Sequence, residues 1–228
     1  MHVFKFWRHT IGMVNQNNPF PEIDAARCVD SLITQFLPLK EFGNVSVVHP
    51  SFVIEPFHSL LAHHSHMTVA METFHGDAVS LDVVKVMAED VNGESFYTRE
   101  ILLTCSEFQS EKFGSSKCLR VLPNGREHIV QYGIVRIATD RLPKDVVTRI
   151  QAGGTPLGRI LIEADLHRAV RCVSLFEIVP GPHFSKLCPG LEPGVMSRTY
   201  GRFATISISS EPVIELFEVV IPPVGEFR

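Results

Sequence analysis

The chain has 228 residues, 45% hydrophobic and 20% charged, with 21 Lys and Arg against 25 Asp and Glu for a formal charge of −4. That composition is globular, long enough to bury roughly 70% of the unfolded surface, and it excludes disordered and collagen-like classes. A mildly acidic chain with no block of consecutive Lys or Arg also lacks the electrostatic footprint of a nucleic-acid or anionic-membrane partner.

In chain order, residues 1–50 read as an N-terminal extension packed on one main domain, 51–228. Asn15 to Pro21 has loop composition, and Asp24 to Leu37 carries Ala25, Cys28, Val29, Leu32, Ile33 and Phe36 at helical spacing. A second helix is predicted from Ser59 to about Phe74, stopped by Gly76. Beyond Gly76 the apolar period changes to two. Strands are predicted at 78–88, 96–105, 119–122, 129–139, 202–209 and 213–221. Pro123-Asn124-Gly125 and Ser209-Ser210-Glu211-Pro212 are short enough to make antiparallel hairpins. Between the strands, Pro143 to Ala152 reads as a helix ended by Gly153-Gly154, and Thr155 with Pro156 opens another from Leu157 to about Ala164. The proline-rich stretch Pro180 to Gly194 reads as a long loop. Runs of strands with helices set apart make an α+β domain.

No long apolar stretch with a cleavage site follows Met1, so neither a signal peptide nor a membrane span is expected. Cys28, Cys105, Cys118, Cys172 and Cys188 are widely spaced, which fits reduced thiols in the cytoplasm. His58, His63, His64, His66 and His75 lack an H-E-x-x-H pattern and read as polar residues around a helix start, with no metal expected. Cys105 and Cys118 read as packing residues, and Gly153-Gly154 as a helix stop without a phosphate-cradling motif.

Alternation separates the two faces of each strand. Arg99 falls in a row with Tyr97, Ile101, Leu103 and Cys105, and Arg136 with Val130, Tyr132, Ile134 and Ala138. Arg202 falls with Ala204, Ile206 and Ile208, and Glu218 with Ile214, Leu216 and Val220. A guanidinium keeps its proton, so an interior Arg needs an anion beside it. Three arginines against one glutamate imply a positive interior balance that a bound carboxylate would answer. The alternative is structural: arginines near strand ends reach solvent along their stems, or pair with glutamates.

These residues also sit in recognisable motifs. Ser65-His66-Met67-Thr68 comes first, then Arg99-Glu100-Ile101-Leu102-Leu103 and Tyr132-Gly133-Ile134-Val135-Arg136. Thr155-Pro156-Leu157-Gly158-Arg159-Ile160-Leu161, Tyr200-Gly201-Arg202 and Pro212 to Pro222 follow. In that order, over about Ser59 to Pro222, the sequence resembles the chorismate lyase family, whose enzymes convert chorismate into 4-hydroxybenzoate and pyruvate. The resemblance implies a six-stranded antiparallel sheet with packed helices and an internal ligand cavity. It implies a carboxylate-binding role for Arg99, ligand contacts from Leu157 and Met67, Glu218 at the ligand's hydroxyl end, and Arg136 as a second internal arginine. Arg202 joins the expected substrate-binding set.

On that expectation Arg99 and Arg136 hold the two carboxylates of the dianion, and Glu218 orients the ring or relays a proton, without metal or organic cofactor. The connection from about Ala164 to Ser197 is longer than in compact members and is expected to shape a lid. The same fold also serves as a non-catalytic effector-binding domain in transcriptional regulators. Residues 1–50 are short for a winged-helix DNA-binding domain and hold no basic recognition helix. A stand-alone binding protein for a small aromatic or carboxylated ligand is the alternative to a lyase.

Overall fold

The computed structural model describes residues 24–106, 119–122, 125–188 and 198–221. The loop expected at Asn15 to Pro21, Cys118 and most of the Pro123 turn therefore lie outside the described residues.

Asp24 caps the first helix, its carboxylate accepting from the Arg27 N–H at 3.2 Å. That helix, α1 (Ala25–Thr34), buries Ala25, Val29, Leu32 and Ile33, which lie on one helical face. A short helix α2 (Leu39–Phe42) leads into strand β1 (Gly43–Val48). The helix expected over 59–74 is two helices, α3 (Phe57–Leu61) and α4 (Met67–His75), and Gly76 closes the second at φ 70°. The break at 62–66 has a physical cause. The carbonyls of His63 and Ser65 accept from the Arg202 guanidinium, at 3.0 Å each, instead of from helical N–H groups.

Strands β2 (Ser80–Val91) and β3 (Glu94–Cys105) form a hairpin through Asn92 and Gly93, both at positive φ, as a two-residue turn with the right twist requires. β4 (Leu119–Leu122) and β5 (Gly125–Ala138) follow, then helices α5 (Lys144–Ala152) and α6 (Leu157–Glu163). The cap of α6 is Pro156, one residue later than expected. β6 (Arg168–Pro180) and α7 (Pro182–Leu187) come next, and β7 (Thr199–Ile208) turns through Ser209-Ser210 into β8 (Glu211–Val220).

All pairings are antiparallel, and the path β1-β6-β7-β8-β5-β3-β2 has seven strands, with β4 paired on β5 outside it. The expected six-stranded sheet is thus too small. β1 comes from residues read as an extension, and β6 from the stretch read as a lid-forming connection. A bulge hides β6 from alternation. Val170 and Cys172 face one side before it, and Leu175 faces that side after it, so the apolar period slips by one between Cys172 and Ser174.

Both faces of the sheet are covered, which makes three layers. One face carries α3, α4, α5 and α6 through Leu61, Met71, Ile150 and Ile160. The other carries α1, α2 and α7 through Ile33, Phe42 and Phe184, with Tyr132 and Phe217 beneath them. No helix among the described residues is long and apolar enough to cross a membrane.

Candidate functional site

A small cavity lies between the sheet and the first face's helices. Its floor includes Ile101 and Leu103 of β3, Gln131 and Val135 of β5, Arg202 of β7 and Glu218 of β8. Its roof is made by the starts of two helices, His66 to Thr68 for α4 and Pro156 to Gly158 for α6. Gly158 lets these starts meet, since a Cβ there would lie 2.9 Å from Thr68 Oγ1. The volume is about 30 Å³, room for roughly two waters at about 10–15 Å³ each.

Pairing decides which charges around it are spoken for. Arg202, 1% exposed, donates from Nε to Glu218 at 2.8 Å. Its other nitrogens reach the His63 and Ser65 carbonyls and, at 3.1 Å, His63 Nδ1. This arginine is fully engaged in the fold: it holds Glu218 and pins the 62–66 segment. That segment is a strap held by histidines acting as acceptors. His66 Nε2 takes a bond from Arg168 Nε at 3.0 Å, and His64 Nδ1 takes the Cys172 N–H at 3.1 Å. Burial, with Arg168 and Arg202 nearby, pushes His66 down to about 4, and burial likewise lowers His63. Among the described residues no cluster of three or more His, Cys, Asp and Glu side chains is placed to hold a metal ion.

Arg99 differs. It is 0% exposed and donates from Nη1 to Ile150 O at 3.2 Å, while among the described residues Nε and Nη2 have no partner. Burial pushes its pKa down against the opposing influence of Tyr97, and among the described residues it makes no ion pair with a carboxylate. Its cross-strand partner is Val135, so it stands beside that lining residue on the same face, without lining the cavity itself.

The structure brings Arg202 and Glu218 to the floor of the cavity and Met67 and Leu157 to its roof, while Arg99 does not line it but pairs with Val135, which does. It does not bring Arg136 there. Arg136 pairs in register with Thr98 and Glu215 on the opposite face, where it meets Glu89 at 3.3 Å and Glu215 at 3.8 Å and lies over the Phe96 ring. Arg99 and Arg136 therefore cannot hold two ends of one ligand. Alternation had placed each charge in an apolar row, but both faces are buried here, and only register tells them apart.

Gln131 was not singled out from sequence. It is 2% exposed, lines the cavity, and its Oε1 has no partner. Its signal was a polar residue in the row of Gly133, Val135 and Ile137.

No family model and no curated protein matches the sequence. Among solved structures, PhnF from Mycobacterium smegmatis aligns at 8% identity and TM-score 0.45, covering 87% of this chain and 94% of that one. A possible transcriptional regulator, YydK from Bacillus subtilis, aligns at 9% identity and TM-score 0.41, covering 68% of this chain and 64% of YydK. A gene product of Staphylococcus aureus aligns at 9% and 0.38, covering 63% and 82%. None of the three is described as a lyase, and likeness at this level assigns no function.

Proposed function

We propose that this chain binds a small organic monocarboxylate in the internal cavity without turning it over. The observation that carries the reading is Arg99, a fully buried guanidinium with two nitrogens that donate to nothing. A buried charge without a partner is costly, and a carboxylate with its two coplanar oxygens is the anion that fits a guanidinium fork. The apolar body of such a ligand would lie against Ile101, Leu103, Val135 and Leu157.

The count of free cations supports binding over lyase chemistry. Arg136 is paired on the other face and Arg202 is held by Glu218, so among the described residues one interior arginine is left over, not the two that a dianionic chorismate would call for. A ring-sized ligand needs more than the present 30 Å³, so its admission requires the roofing helix starts to move outward.

The second reading is a chorismate lyase. It is favoured by Glu218 and Arg202 on the floor with Met67 and Leu157 in the roof, the arrangement that the family resemblance implies. One experiment separates the two. Calorimetry with 4-hydroxybenzoate measures binding, and incubation with chorismate is followed for 4-hydroxybenzoate release. Binding without release is the expected result, and catalytic release of product would establish the lyase instead.

A further inference from the structure

We infer that Gln131 is a specificity-determining residue of this site, reading a hydrogen-bond donor at the end of the ligand away from its carboxylate. The inference rests on the carboxylate reading above and adds the ligand's second polar group. Among the described residues, two side chains around the cavity are deeply buried and carry orphaned polar atoms: Arg99 through Nε and Nη2, and Gln131 through Oε1. Buried polar atoms are nearly always partnered in folded proteins, so two such orphans on one face ask for a common explanation.

Their placement supplies it. Arg99 pairs with Val135, and Leu103 pairs with Gln131, so the two groups stand four residues apart along the same face of β3 and β5. That is about 13 Å of strand between the two positions, the span that a ligand with polar groups at opposite ends would bridge. Between them stands Ile101, paired with Gly133, whose missing side chain leaves the room that Ile101 fills.

Gln131 is aimed inward by a local irregularity. The β3–β5 register slips between Leu103 and Thr104, whose partners are Gln131 and Ile129. Val130 is the extra residue, and it packs in the same face's core while Ile129 packs in the other. Bulges that re-aim a side chain are over-represented beside functional sites. Glu218, the other polar acceptor on the floor, already receives Arg202, whereas Gln131 Oε1 receives nothing. An acceptor without a donor selects a ligand hydroxyl or amine.

The test compares 4-hydroxybenzoate with 4-methylbenzoate, nearly its equal in size but without the donor, on the wild-type protein and on Gln131→Leu. The wild type is expected to prefer the hydroxy acid by at least about tenfold. Gln131→Leu is expected to bind both within about twofold of each other, at the affinity the wild type shows for 4-methylbenzoate. A wild type that binds the two equally, or a folded variant that keeps the preference, overturns the role of Gln131 while leaving the carboxylate site standing. If neither acid binds the wild type, the carboxylate reading itself fails. Should Gln131→Leu not fold, the wild-type ratio alone decides.

Discussion

The two faces of this sheet bury comparable charge and treat it differently. On the face under α1 and α7, Glu100, 1% exposed, accepts from the Tyr132 hydroxyl and from His183 Nε2, both at 2.8 Å, and Arg136 has the carboxylates of Glu89 and Glu215, although its Nε and the neighbouring Thr98 Oγ1 have no hydrogen-bond partner among the described residues. Burial and Glu100 raise Tyr132 well above the ordinary tyrosine range, so its hydroxyl keeps the proton it donates. On the cavity face, Arg202 and Glu218 answer one another, but Arg99 and Gln131 are left open. Partnered buried charge is architecture. Unpartnered buried charge, in a protein that folds, marks where something else belongs.

That contrast can be broken by substitution, and the largest effect belongs to a partnered charge. Arg202→Leu strands Glu218 in the interior and frees the strap carbonyls. Denaturant unfolding should show a loss of about 3 to 5 kcal/mol. Glu100→Leu on the opposite face leaves the Tyr132 hydroxyl and His183 without their acceptor and should cost about 2 kcal/mol in the same measurement.

A smaller effect tests the strap through pH. His66 is held near 4 in the fold against an ordinary 6.5. Between those values the unfolded chain takes up the proton more readily than the folded one. The stability this histidine contributes is therefore complete above about pH 6.5 and is lost as pH falls toward 4. Unfolding curves at a series of pH values should show the decline, and His66→Gln, which keeps an acceptor for Arg168 but takes up no proton, should flatten it.

Much of this was legible in the residues. Each of the six strands read from alternation and turn signals has a counterpart, because antiparallel strands with two-residue links leave a strong local imprint. Arg99, Arg202 and Glu218 emerged from the same alternation. What failed depended on long-range register. Arg136 occupies an apolar row as convincingly as Arg99, yet its row belongs to the other face, and a sheet buried on both sides gives no polar row to distinguish them. The bulges at Val130 and near Val173 each shift the period by one, which concealed Gln131's role and the whole of β6. The break at 62–66 was equally hidden, because the arginine that satisfies its carbonyls lies far along the chain.

The central claim is that Arg99 is there for a ligand and not for the fold. The direct measurement is the unfolding free energy of Arg99→Met, with and without 4-hydroxybenzoate, beside the wild type. Removing a buried cation that has a carbonyl but no anionic partner among the described residues should leave the ligand-free stability unchanged or raise it by up to about 2 kcal/mol, while the stabilisation that the acid gives the wild type disappears. A variant that loses several kcal/mol without ligand, or one that the acid still stabilises as it does the wild type, would contradict the account.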